Sequence, residues 1–73
     1  MLRISFTKRE FEALMDVIHF TPMQKRIIRY RLDEESRVRM ADLEKVSVAT
    51  IDREIKDIAK KIQKAYDSNL IVF

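Results

Sequence analysis

Apolar residues in the second half of the chain recur at the spacing of one helix face. Six of them follow one another at separations of 3, 4, 3, 4 and 3 positions: Val48, Ile51, Ile55, Ile58, Ile62 and Ala65. This is the period of an amphipathic helix. Ser47 stands directly before them, and its hydroxyl can accept a hydrogen bond from an unpaired N–H group in the first turn. The pattern predicts a capped helix over about 48–66.

A shorter, partly apolar stretch lies just upstream and predicts a helix over 37–44, capped by Ser36. We expect Val38 or Met40, with Ala41 and Leu43, to point inward from it. A short helix, a tight turn and a longer capped helix are the parts of a helix-turn-helix, in which the second helix lies in the DNA major groove. The sequence therefore predicts a helix-turn-helix over about 36–62.

Two further helices are predicted from their start signals. Thr7 with Glu10 forms a capping-box pattern that opens a helix over about 8–20, and Thr21 with Gln24 forms a second one that opens a helix over 22–32. Pro22 suits the first helical position, where an N–H group would be unpaired anyway. The alternating apolar residues of 1–6 and the β-prone tail 70–73 predict two short strands, which could pair with each other, dock on the core or pair between subunits.

Composition favours a single all-α domain of four helices spanning residues 1–73. The chain has no glycine and no cysteine. The lack of cysteine excludes disulfides and thiolate metal sites and fits a reducing, cytoplasmic setting. Because a domain of this size has a marginal core, we expect extra burial through a homodimer. The second half of the apolar row is the predicted dimer interface: Ile58, Ile62, Ala65 and Tyr66.

The net charge of +3 is unevenly distributed. Residues 1–21 and residues 40–73 each balance to zero, so the excess lies in 22–39, where six basic residues face three acidic ones. Such clustering is expected of a surface that contacts a phosphate backbone. The alternative is an ordinary solvated helix face next to a charged loop.

Within residues 21–62 the chain resembles the helix-turn-helix of sigma-factor region 4 and of LuxR-type regulators. The resemblance is carried by T-P-M-Q-K-R-I-I-R-Y-R at 21–31 and by Met40-Ala41, Val46-Ser47, Thr50-Ile51, Arg53 and Ile55 at the family spacing. Lys45 occupies the turn position that the family usually gives to glycine, so a non-glycine residue must take any left-handed conformation needed there, at some cost. The resemblance implies a small phage or bacterial regulator.

On this interpretation, double-stranded DNA is the partner and the helix over 48–66 reads it. The residues predicted to reach base edges are Ala49, Thr50, Arg53 and Lys56. The residues predicted to contact phosphates are Arg37, Arg39, Lys45 and Ser47, with Lys25, Arg26 and Arg29 as weaker candidates. The acidic residues of the same helix oppose this interpretation, since carboxylates near phosphates repel. We expect i,i+4 ion pairs on the helix surface: Asp52–Lys56, Arg53–Asp57 and Asp57–Lys61.

The alternative function is a small helical protein-interaction module that binds RNA polymerase or a host protein without specific DNA binding. An enzyme is not expected, because the chain offers no nucleophile and base set. No cofactor is expected, and a lone His19 makes no metal site. No apolar run approaches the length that spans a membrane.

Overall fold

The structure is a computed structural model of the 73-residue chain, and it describes residues 7–68. Four α-helices form this region: α1 Lys8–Val17, α2 Pro22–Leu32, α3 Arg37–Glu44 and α4 Val48–Asp67. The predicted all-α class with four helices is confirmed, and the described residues contain no strand. The strands predicted at 1–6 and 70–73 lie outside the described residues.

Each helix begins at the residue that the sequence predicts. The hydroxyl groups of Thr7, Thr21, Ser36 and Ser47 accept hydrogen bonds from backbone N–H groups three residues later. Both capping boxes form completely, because the side chains of Glu10 and Gln24 also accept from the backbone N–H of their cap residues. Local hydrogen bonding therefore determines where the helices start.

The first helix is shorter than predicted, ending at Val17 rather than near residue 20. Ile18 has extended backbone geometry, with φ −114° and ψ 131°. In the connection that follows, Ile18 and Phe20 are buried while His19 is exposed. This connection therefore contributes two large side chains to the core before Pro22 starts α2.

Two helices end in left-handed residues although the chain has no glycine. Glu34 (φ 61°) follows α2, and Lys45 (φ 56°), at the turn position, follows α3. The next residue in each case donates its N–H to a carbonyl five residues back, Glu35 to Tyr30 at 2.9 Å and Val46 to Ala41 at 3.0 Å. These are Schellman motifs, which satisfy the last carbonyls of a helix and turn the chain sharply.

All four helices and the 18–20 segment contribute to one core. Its buried members are Phe11, Leu14, Ile18, Phe20, Ile27, Ile28, Met40, Ala41, Ile51, Ile58, Ile62 and Ala65. On α3 the inward residues are Met40 and Ala41, whereas Val38 is 69% exposed and Leu43 is 41% exposed. The prediction that Leu43 points inward is therefore wrong, because α3 is short and covers the core with only one narrow edge.

The dimer interface predicted on α4 is also wrong for three of its four residues. Ile58 and Ile62 have no exposed surface within a single chain, and Ala65 is 4% exposed. Tyr66 is partly buried and packs against the same core. The apolar row along α4 is thus buried or packed against the core inside the domain over its whole length. These side chains therefore cannot also cover a second subunit.

A buried amide joins the start of α2 to the middle of α4. Gln24 is 1% exposed; its Nε2 donates to Glu54 Oε1 at 3.1 Å and Asp57 Oδ2 at 2.6 Å, and its Oε1 accepts from Lys61 Nζ at 2.6 Å. With the capping bond from the Thr21 N–H, both hydrogens and both lone pairs of the amide are used. The network orients one polar flank of α4 toward the domain.

No helix in residues 7–68 combines the length and apolarity that crossing a lipid bilayer requires.

Candidate nucleic-acid interface

The three-residue connection 45–47 leads directly into the first turn of α4. Ser47 Oγ caps this turn by accepting from the Thr50 N–H at 3.1 Å, and it lies 3.0 Å from Thr50 Oγ1. Thr50 is half-buried, while Lys45 and Ala49 are exposed. The structure therefore brings together Lys45, Ser47, Ala49 and Thr50 at one end of the domain, with the hydroxyl of Ser47 committed to the cap.

Arg53 and Lys56 continue the exposed face that Ala49 begins. Both side chains are exposed, and no hydrogen bond or ion pair engages them within residues 7–68. At 100° per residue, positions 49, 53 and 56 fall within an arc of about 60°. Of the four predicted base-contacting residues, three share an open face, and Thr50 lies at its buried edge.

The acidic residues of α4 are held by groups of the domain itself. Asp52 Oδ1 accepts from Arg37 Nη1 at 2.8 Å. Glu54 and Asp57 accept from the buried Gln24 amide, and Asp57 also lies 3.6 Å from Lys61 Nζ. Carboxylates on α4 are expected to repel a phosphate backbone. Each of these three instead has a basic or amide partner and lies beside the exposed face, Asp52 on one side and Glu54 and Asp57 on the other.

Two of the three ion pairs predicted along α4 do not form. Asp57 and Lys61 pair as expected. Asp52 pairs with Arg37 of α3 instead of Lys56, and Asp57 binds Gln24 instead of Arg53. Tertiary partners thus outcompete weak helix-surface pairs, and the consequence is that Arg53 and Lys56 are left without an acidic partner in the described part of the chain.

Arg26, a predicted phosphate contact, belongs to a carboxylate cluster between α2 and α3. Its guanidinium donates to both oxygens of Glu44, at 2.8 and 2.9 Å, and Tyr30 donates its hydroxyl to Glu44 Oε2 at 2.6 Å. The Glu44 side chain is only 6% exposed. Hydrogen bonds from Arg26, and then from Tyr30, lower the pKa of Glu44, and the bond to Glu44 raises the pKa of Tyr30. Arg26 therefore holds two helices together rather than offering a free charge.

The other predicted phosphate contacts divide into paired and open groups. Arg37 is paired with Asp52, and Arg39 lies 3.4 Å from Asp42 and 3.9 Å from Glu35. These pairs are on the surface, where an ion pair contributes little to stability. Lys25 and Arg29 are exposed and have no partner among the described residues.

Arg29 faces a different part of the molecule. It lines a shallow groove between α1 and α2, with a cavity volume of about 100 Å³, together with Phe11 and Met15. The structure therefore does not place it with the residues at the start of α4. Of the six basic residues in 22–39, Arg26, Arg37 and Arg39 pair with carboxylates at 35, 42, 44 and 52. The other three, Lys25, Arg29 and Arg31, are exposed without a partner among the described residues, so open positive charge lies on α2 as well as on α4.

A scan against protein-family models, a search of curated proteins and a search of solved structures each give no match for this chain.

Two features of this surface escape the reasoning from sequence. Gln24 is predicted only as part of a capping box, although its amide also fixes the acidic flank of α4. Lys60 and Lys64 are exposed and extend the same helix face as Arg53 and Lys56. Lys60 follows Lys56 by four residues and Lys64 follows Lys60 by four, and this i,i+4 spacing is the signal that could have identified them.

Proposed function

We propose that this protein is a sequence-specific double-stranded DNA-binding regulator of transcription, with α3 and α4 as a helix-turn-helix and α4 as its recognition helix. The observation that carries the proposal is the separation of charge on α4. Its exposed N-terminal face presents Ala49, Arg53 and Lys56 without carboxylate partners, while Asp52, Glu54 and Asp57 bind groups of the domain.

In this proposal Arg53 is the principal base-reading residue. A guanidinium can donate two parallel hydrogen bonds to the O6 and N7 acceptors of guanine. Ala49 presents a methyl group of the size that packs against the thymine methyl, and it lies one helical turn before Arg53. Lys56 lies about one turn beyond Arg53 and reaches the adjacent base or strand.

Phosphate contacts set the register of this helix in the groove. Lys45 lies in the connection before α4, and its exposed ammonium is a free point charge for a phosphate oxygen. Arg37 is the second candidate, because only its Nη1 donates to Asp52 and the guanidinium has further N–H groups for a phosphate oxygen while that pair is kept. The N-terminus of α4 adds the positive end of the helix dipole.

The number of protein chains bound per DNA site distinguishes binding as a single domain from binding as a homodimer. A homodimer that binds two half-sites about 34 Å apart would have to use a surface other than Ile58, Ile62 and Ala65, which are buried in the core. A cytoplasmic location is part of the proposal, since the absence of cysteine fits a reducing compartment.

The test is selection of duplexes from a random library, followed by measurement of affinity for the selected and unselected duplexes. We expect wild-type protein to prefer its selected site by roughly a thousandfold or more. Replacing Arg53 by Ala removes one bidentate contact, so we expect a loss of about 1–3 kcal/mol at the selected site and little loss on unselected duplexes. Arg9→Ala on α1 is the matched control, because Arg9 is equally exposed and has no partner within 7–68.

Failure of any duplex to be enriched, or equal losses from Arg53→Ala and Arg9→Ala, would contradict sequence-specific recognition. Circular dichroism confirms that both variants remain folded, which is expected because both side chains are exposed.

A protein-interaction module is the second candidate, and one observation favours it. Val38 on α3 is 69% exposed, so its apolar side chain is available for contact with a protein partner. If RNA polymerase or a host protein is the partner, Val38→Asp abolishes the interaction while Arg53→Ala leaves it intact. A charge at Ile62 would not probe such a surface, because that side chain lies in the core and a charged replacement there unfolds the domain.

A further inference from the structure

The exposed positive face of α4 continues well past the residues proposed to read bases. Its members are Ala49, Arg53, Lys56, Lys60 and Lys64, which we call the basic row. At 100° per residue these five positions fall within an arc of about 80°. All five are exposed, and within residues 7–68 no hydrogen bond or ion pair engages the four cations.

A merely solvated helix face usually mixes charges of both signs. Here the carboxylates of α4 lie beside the basic row rather than within it, since Asp52, Glu54 and Asp57 bind Arg37 and Gln24. Only Asp67, the last residue of the helix, shares the direction of the row, and its Oδ1 accepts from Gln63 at 3.0 Å. The basic row is therefore an uninterrupted positive strip along four turns.

The length of the strip exceeds what the major groove can hold. With a rise of 1.5 Å per residue, Lys60 lies about 10 Å and Lys64 about 16 Å beyond Arg53 along the helix axis. The major groove is about 12 Å wide. If the N-terminal end of α4 enters the groove far enough for Arg53 to reach base edges, Lys60 and Lys64 come to lie over the sugar–phosphate strand that bounds it.

We infer that Lys60 and Lys64 are phosphate-contacting residues on the strand at the edge of the groove and that the whole basic row is the DNA-binding surface. This inference rests on the proposed function and extends it by two residues. The residue types agree with the roles: the planar guanidinium of Arg53 suits bidentate recognition of a base, whereas a lysine ammonium on a flexible stem suits a phosphate. The other flank of α4 is occupied by the Gln24 network, which fixes the rotation of the helix and aims the row outward.

The test is the salt dependence of binding to an unselected duplex, which depends on phosphate contacts and not on sequence preference. Each phosphate contact contributes about 0.9 to the slope of log affinity against log salt. The double variant Lys60→Gln/Lys64→Gln should therefore have a slope about 1.8 smaller than wild type. Between about 50 and 200 mM salt its affinity should fall roughly twelvefold less than that of wild type.

The matched control is Lys8→Gln/Arg9→Gln on α1, which removes the same charge from exposed positions without a partner among the described residues. It reports the effect of net charge alone, and we expect its slope to stay within about 0.5 of wild type. Glutamine keeps a helix propensity close to that of lysine, so both double variants should retain the wild-type circular dichroism spectrum.

The outcomes separate this inference from the proposed function. A reduced slope in Lys60→Gln/Lys64→Gln alone supports the inference, whether or not a preferred sequence emerges from selection. An unchanged slope, or equal reductions in the two double variants, overturns it while leaving specific recognition by Arg53 intact. Absence of wild-type binding to any duplex overturns both.

Discussion

Replacement of Ile62 tests whether the apolar row of α4 belongs to the core of one chain. Ile62 has no exposed surface and lies among the buried residues contributed by all four helices. Ile62→Val removes a single methylene group from this site, and Ile62→Ala removes three carbon atoms. Neither change adds a polar group or alters charge, so the effect on stability reports packing alone.

The magnitude follows from the burial. Each buried methylene contributes about 0.8 kcal/mol, and the cavity left behind adds to this. We expect a loss of about 1 kcal/mol in the free energy of unfolding for Ile62→Val and about 3–4 kcal/mol for Ile62→Ala. A domain of 73 residues has a total stability of roughly 4–11 kcal/mol, so the alanine variant approaches the limit of folding.

The assay is thermal unfolding followed by circular dichroism at protein concentrations that differ a hundredfold. For a domain of this size about 1 kcal/mol corresponds to a fall in Tm of about 4–8 °C. We expect Ile62→Val to show this fall equally at every concentration, because the contact lies within one chain. Val38→Ala is the control, since Val38 is 69% exposed and its truncation should change stability by no more than about 0.5 kcal/mol.

The reasoning would be refuted by a wild-type Tm that rises with concentration, together with a Tm for Ile62→Val that equals wild type in dilute solution. That combination is the behaviour of a residue at a dimer interface, whose contribution depends on association. It would mean that Ile58, Ile62 and Ala65 form the dimer interface predicted from the sequence.

Two further predictions concern the helix ends. Lys45→Gly should raise the free energy of unfolding by about 0.5–1 kcal/mol, because glycine adopts the left-handed conformation observed at φ 56° without a Cβ penalty. If the proposed function holds, Lys45→Gly should also reduce the slope of log DNA affinity against log salt by about 0.9. Glu34→Gly, at φ 61° after α2, should stabilise the fold without changing this slope. Equal slopes in the two variants would exclude Lys45 from the interface. For Glu44, whose pKa is lowered by hydrogen bonds from Arg26 and Tyr30, the ionised carboxylate stabilises the folded state above its ordinary pKa of 4.5, and this contribution is lost as pH falls through the folded value. Glu44→Gln should therefore be less stable than wild type at neutral pH and lose less stability on acidification in urea-unfolding measurements; a parallel pH profile for the two proteins would contradict the assignment.

Helix starts and the long apolar row were predictable because their causes are local. The caps at Thr7, Thr21, Ser36 and Ser47 act on N–H groups three residues away, and the period of α4 is visible in a single segment. Lys45 was identified as the turn position only through the resemblance, which puts a glycine there, and its φ of 56° is given by the structure.

The function of those elements was harder to predict, because it depends on partners far along the chain. The row on α4 gives the same pattern whether it covers its own core or a second subunit, and only the packing of α1, α2 and α3 against it shows that Ile58, Ile62 and Ala65 are covered within one chain. The end of α1 was overestimated because Ile18 fits the helical pattern of Phe11, Leu14 and Met15, although its backbone is extended and the helix ends at Val17.

The charged residues show most clearly which properties are local and which depend on tertiary structure. The sequence by itself determined how many cations and carboxylates each segment carries and which of them share a helix face. Only the tertiary structure decided which charges remain open: Arg26 and Arg37 are occupied by Glu44 and Asp52, while the basic row on α4 keeps its cations exposed. The physical reason is that pairing energies between exposed neighbours are a few tenths of a kcal/mol, so the folding of distant helices against one another, rather than local spacing, selects the partners.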